Sequence, residues 1–277
     1  MKKFTLFTLT IFIVLCTQSS CRKVYDYIRD HPDGHDSLCR ITQIKAVDFY
    51  GFNDTFNITY NRKWDPVSML STSTYFTGSN IEQYFRYDSR GRLSDYFYTY
   101  IKAEGALLWH KYGYPRDNFV TDTLMEYTGT IHGPTPIAGQ GENIYYSIIG
   151  YTLDAHGRIV KGWFIPNDPD QPLQLAGTTT YDANGNKVLS IPELTYDNKV
   201  NAYRTSKVWQ FVYQDYSRNN VVRNDGLFTP LYNSFGLPLN IRNLSTYYLY
   251  LPFEIQNSAP QLDMTYACTA PKGPVDY

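Results

Sequence analysis

The sequence predicts an all-β chain: an antiparallel meander of repeated β-hairpins curled into a barrel-like or strongly curved open sheet. Three observations carry that expectation. The first is a recurring unit of an aromatic or apolar residue, then Asp or Asn, two variable residues and Gly. It reads Tyr87-Asp88-Ser89-Arg90-Gly91, Leu153-Asp154-Ala155-His156-Gly157, Tyr181-Asp182-Ala183-Asn184-Gly185 and Tyr232-Asn233-Ser234-Phe235-Gly236. The second is composition: Tyr supplies 27 of 277 residues and aromatics 17%, a bias that suits antiparallel sheet. The third is alternation, clearest in Thr55-Phe56-Asn57-Ile58-Thr59-Tyr60, where polar and apolar residues follow a strict period of two.

Residues 1–20 read as a signal peptide. Lys2 and Lys3 precede an apolar run from Phe4 to Cys16, too short to span a bilayer comfortably, and Ser19-Ser20 leads to Cys21. The ending resembles a bacterial lipobox, which would make Cys21 the acylated N-terminus; Gln18 stands where such signals usually carry an apolar residue. Ordinary secretion with Cys21 as a plain thiol, or an uncleaved anchor helix, are the alternatives. Several acyl chains on one cysteine anchor stably where a single chain is marginal. Residues 21–37 are charged and turn-rich, the composition of a lipid-anchored flexible tether. His31 and His35 lie there near Asp33 and Asp36, but Pro32 and Gly34 prevent the helix that would put both rings on one face, so no metal site is expected.

Residues 38–277 are expected to form a single all-β domain. Asp88, Asp154, Asp182 and Asn233 open turns by accepting backbone hydrogen bonds, and Gly91, Gly157, Gly185 and Gly236 supply the left-handed residue that closes a hairpin as a turn with a bulge. Weaker copies start at Tyr60 and Tyr114. In the first, Trp64 occupies the Gly position, so a different turn is expected; in the second, Asn118 does, and Asn tolerates positive φ. Several copies stand close to 27 residues apart, the length of two strands and two connections. Residues 96–101 and 246–255 are aromatic on both faces, and Val208 to Tyr216 is another β-branched and aromatic run, all read as strands. The Pro/Gly-rich stretch from Gly133 to Gly141 reads as a long loop. With Cys16 in the leader and Cys21 acylated, Cys39 and Cys268 remain for a disulfide joining the first and last strands; two separate buried thiols are the alternative.

Leader and repeats together resemble the YD-repeat-like (RHS-like) lipoproteins of Bacteroidota, an uncharacterised family of unknown function with a porin-like fold. The residues that carry the resemblance are Cys39-Arg40-Ile41-Thr42-Gln43-Ile44, Tyr60-Asn61 with Asp65-Pro66-Val67, and Tyr87-Asp88-Ser89-Arg90-Gly91-Arg92-Leu93. Tyr196-Asp197-Asn198-Lys199 and Tyr232-Asn233-Ser234-Phe235-Gly236-Leu237-Pro238 complete the set, which covers roughly residues 38–245. Leu153 replaces the usual Tyr. The resemblance implies architecture and address, an outer-membrane lipoprotein on the cell surface or the periplasmic face, and names no activity.

Motifs that carry chemistry are lacking. The chain holds no Gly-x-Ser-x-Gly elbow, no His-Glu-x-x-His and no phosphate-cradling Gly-x-x-x-x-Gly-Lys. Most Asp residues are accounted for as turn formers, so no enzyme and no cofactor is expected, although an Asp/Glu pair of glycosidase type remains the alternative. A net charge of −1 with dispersed basic residues argues against nucleic acid. Charged or amide groups on both faces of Gln83 to Tyr87 argue against a membrane-spanning barrel. The expected role is a non-enzymatic binding or structural module that meets the membrane through its lipid and a glycan or envelope protein through its surface. Trp109, Trp163 and Trp209 would offer flat platforms for sugar rings where exposed; rings that fill strands and cross-strand pairs are the alternative, and none is assigned as a site.

Overall fold

The computed structural model describes residues 39–47, 53–72, 82–101, 106–128, 142–166, 168, 170–224, 229–242 and 261–268. The leader, Cys21, the tether, residues 133–141 and residues 246–255 lie outside the described residues. Strand formation follows the alternation. In order come β1 (Cys39–Val47), β2 (Asn53–Tyr60), β3 (Pro66–Ser71), β4 (Glu82–Tyr87), β5 (Leu93–Ile101), β6 (Ala106–Arg116) and β7 (Phe119–Thr128). After these come β8 (Glu142–Leu153), β9 (Ile159–Phe164), β10 (Gln174–Thr178), β11 (Leu194–Val200), β12 (Asn219–Arg223), β13 (Asn240–Arg242) and β14 (Gln261–Cys268). Twelve strands form one antiparallel sheet in the order β10-β9-β8-β7-β6-β5-β4-β3-β2-β1-β14-β13, and β11 and β12 pair separately. The meander is as expected. Of the two forms expected, barrel-like or strongly curved and open, neither closure nor strong curl is shown among the described residues, where β10 and β13 are the two ends of the strand order.

The repeated turns share one geometry. In the copy at Asp88, the Gly91 N–H donates to the Asp88 carbonyl and the Asp88 N–H to the Arg92 carbonyl, both at 2.9 Å. One Asp88 carboxylate oxygen accepts the N–H groups of Arg90 and Arg92, and the other is clamped by the Arg92 guanidinium. Asp154 repeats the whole arrangement with His156, Gly157 and Arg158, and Asp182 and Asn233 repeat its backbone half. The four glycines all take φ between 75° and 82°.

Two weaker copies depart from expectation. Trp64 takes φ 68°, and Asn61 makes the same four bonds as its counterparts, so the turn at Asn61 is not different after all. The copy after Tyr114 is the different one. Arg116 pairs with Phe119 directly, which makes Asp117-Asn118 a two-residue hairpin with no left-handed Asn.

The tyrosine that precedes a turn has its own task. Tyr60, Tyr87 and Tyr114 donate their hydroxyls to the carbonyls of Ile41, Pro66 and Leu93 at 2.7, 2.6 and 2.7 Å. Pro66 and Leu93 are the residues that leave the preceding turn, so each ring stitches one hairpin to the last. Tyr181 does the same to Ile159, Tyr196 to Lys187 and Tyr266 to Pro238. The Leu153 copy has no hydroxyl, and its N–H donates to the Asn118 carbonyl instead. Tyr232 reaches the Asp197 carboxylate, and Tyr266 pairs with Ile41 in the register of β1 and β14. Among the described residues these contacts therefore run from Ile41 through the turns of the repeat and return to it.

One face of the sheet is covered by a helical segment that includes part of the Val208 to Tyr216 run expected as a strand. Ala202–Thr205 is a 3-10 helix and Lys207–Val212 an α-helix, α1, capped by Asn201 and Ser206 through bonds to the Tyr203 and Val208 N–H groups. Trp209 is fully buried and meets Phe85 edge-on, with centroids 5.2 Å apart. Ile41, Ile44, Phe56, Met69 and Leu262 fill the same core. Tyr213 donates to Gln83, and Gln214 to the Tyr151 hydroxyl, so the segment spans from β4 to β8. The expected disulfide is formed: Cys39 and Cys268 face each other across β1 and β14 with Cα atoms 4.0 Å apart, tying first strand to last.

Candidate functional site

Register decides what stands on the face opposite α1. Tyr84 pairs with Phe97, Phe97 with Trp109, and Trp109 with Met125, so one row crosses β4, β5, β6 and β7. Odd-numbered residues of β5 to β7 share this face because side chains alternate along a strand. Phe97 stacks on Trp109 at 5.3 Å and is roofed by the Arg86 guanidinium, which leaves it 1% exposed. Trp109 and Tyr84 are only half-buried. The Trp109 indole N–H donates to Asp95 at 2.9 Å, and Lys111 lies 5.9 Å from its ring centroid. The Tyr84 hydroxyl donates to Glu82; its pKa is pushed up to about 12 by burial and by the neighbouring carboxylate.

Trp163 on β9 belongs to the same face. Its partner Gly150 pairs with Thr121, and Thr121 with Gly113. Strand spacing and rise put it roughly 20 Å from Trp109, three strands across and four residues along. Its N–H donates to Thr152 at 2.8 Å and Lys161 lies beside the ring. Each indole is thus held at its N–H edge with a lysine beside its ring, and Trp109 stacks on Phe97 as well. Between the two indoles, Gly113 and Gly150 present no side chains. A Cβ on Gly150 would come within 2.5 Å of the Phe119 ring, which lies over it.

Of the three tryptophans singled out in the sequence, Trp109 and Trp163 stand half-buried on the face opposite α1. Trp209 does not: it is the centre of the core beneath α1. The turn residues Asp88, Gly91, Asp154, Gly157, Asp182, Gly185, Asn233 and Gly236 are brought to the edge of the molecule as scaffold. Among the described residues no group of His, Cys, Asp and Glu is arranged to hold a metal.

Sequence reasoning missed one polar cluster. His110 Nδ1 lies 3.1 and 3.0 Å from the two Asp122 carboxylate oxygens, and the Tyr151 hydroxyl donates to Asp122 at 3.4 Å. Gln214 then donates to Tyr151 at 3.0 Å. A His–Asp pair is the core of many general bases. Here the pair faces α1, Asp122 is 4% exposed, and the cluster joins the residues after α1 to β6, β7 and β8. Only the register that places His110 beside Leu124 and Tyr112 beside Asp122 reveals it.

The chain matches no family model and no curated protein.

Proposed function

We propose that the chain is a non-enzymatic lipoprotein of the outer membrane that binds saccharides on the open face of its large sheet. The observation that carries this reading is the row Tyr84–Phe97–Trp109. A half-exposed indole is backed by a buried ring and held by Asp95, an arrangement that presents a flat apolar surface at little rotamer cost. Trp163, held by Thr152, is a second such surface on the same face. Their separation suits an extended chain of sugar units rather than a single ring. Arg86, Lys111 and Lys161 add hydrogen-bond donors beside the rings.

The YD-repeat-like resemblance and the Ser19-Ser20-Cys21 ending support the address: lipid on Cys21, residues 21–37 as tether, and the β region held off the membrane. No helix among the described residues is long and apolar enough to cross a membrane.

Two experiments test the two halves. Cells fed labelled palmitate should label the native chain and not Cys21→Ala; labelling of both, or of neither, contradicts the anchor. Electrophoresis through gels containing soluble polysaccharides should retard the native protein and not Trp109→Ala. Equal mobility of the two in every gel contradicts the binding face.

A further inference from the structure

Three turns of the repeat open with Asp, and they do not treat it alike. In the copies at Asp88 and Asp154 the fifth residue is Arg, and its guanidinium closes on the second carboxylate oxygen at 2.8 and 2.7 Å. In the copy at Asp182 the fifth residue is Asn186. It turns away, exchanging hydrogen bonds with Asn219: its amide donates to the Asn219 side chain at 3.0 Å, and the Asn219 N–H donates back at 2.9 Å. Asp182 keeps its two backbone bonds, from Asn184 and Asn186, through Oδ1. Its Oδ2 takes no part in either, and the residue is exposed.

Asp182 borders a cleft of about 510 Å³ between the turn and the β11–β12 pair. The volume falls within the ~300–1,000 Å³ of small-molecule sites. Asn184, Asn198 and Lys199 line it and are exposed, and Arg218 completes the wall. The walls are braced: Asn219 also donates to the Lys199 carbonyl, and Asp197 accepts from the Lys199 N–H and from Asn220. Two carboxylates and two cations line the cleft, which disfavours a charged ligand. Amides and a carboxylate set side by side both donate and accept, which is what vicinal hydroxyls require.

We propose that this cleft is a separate subsite for one or two neutral sugar rings, with Asp182 accepting from hydroxyls and Asn184 and Asn198 bridging them. It uses no residue of the sheet face, so it stands or falls independently of the row through Trp109.

The repeat itself supplies the test variant. Asn233 makes the same two side-chain bonds in its own turn, so Asp182→Asn keeps the fold and removes the charge. Calorimetric titration of the full chain in a sugar-free detergent would use maltose, lactose and chitobiose as probes. At least one should bind, weaken about tenfold or more in Asp182→Asn, as loss of a charged hydrogen bond implies, and weaken in Asn198→Ala. Trp109→Ala should leave that affinity in place. No binding of any of the three, or binding unchanged in both cleft variants, overturns the subsite. Binding lost in Trp109→Ala alone overturns it while supporting the sheet face.

Discussion

Trp64 holds a backbone conformation that glycine holds in the other turns, and Arg40 gives a reason: its guanidinium lies 3.9 Å from the indole centroid. A left-handed non-glycine residue costs about 1–2 kcal/mol. An exposed cation–π contact returns about 0.5–1 kcal/mol, and a tryptophan restricts the unfolded chain more than glycine does. Trp64→Gly should therefore stay within about 0.5 kcal/mol of the native protein in urea unfolding, since these terms nearly cancel. Gly157→Ala has nothing to offset the same strain, because no atom lies within 4 Å of the added carbon. It should lose about 1 kcal/mol. The Asp/Asn and Gly positions were legible from the sequence because turn chemistry is local. Trp64 was misread because its compensation comes from β1, 24 positions earlier in the chain.

Hairpins are joined by their tyrosines more than by anything the spacing alone announces. Tyr87→Phe removes one hydroxyl bond to Pro66 and should cost about 1 kcal/mol by urea unfolding. A change near zero would mean the stitching is incidental to packing. The helix α1 was the opposite case. Lys207-Val208-Trp209-Gln210-Phe211-Val212 carries β-branched and aromatic residues and is too short for a helical period to show. Its helicity comes from the Ser206 cap and from the packing of Trp209 against Phe85, neither of which outweighs strand propensity when the sequence is read alone. Ser206→Ala should cost about 1 kcal/mol. The row Tyr84–Phe97–Trp109 was equally hidden, because a cross-strand row exists only once register is known.

Across the whole molecule, the turn contacts make a circuit, and that circuit is built of buried phenols. Burial holds the Tyr60, Tyr87, Tyr181 and Tyr266 hydroxyls above their ordinary value and pushes Tyr114 up to about 12. The unfolded chain releases these protons from about pH 10, while the folded chain retains them. Stability from these groups is thus fully present below pH ~10 and is lost progressively as pH rises above it. Urea midpoints should be flat from neutral pH to about pH 9 and fall steeply above pH ~10, several protons being linked to unfolding. Whether the meander closes was not legible, because meander and edge pairing look the same in sequence in an open sheet and in a barrel. The Cys39–Cys268 bond was legible, since only two cysteines remained once the leader was set aside.

The face proposed to meet ligands is the one opposite α1. A glycan array probed with the soluble region beginning at Ser37 tests it most directly, comparing the native protein with Trp109→Ala, Trp163→Ala and the buried-ring control Trp209→Phe. Binding to one glycan class that both face variants lose and Trp209→Phe keeps is the predicted result. A blank array, or binding that survives Trp109→Ala and Trp163→Ala, would contradict it.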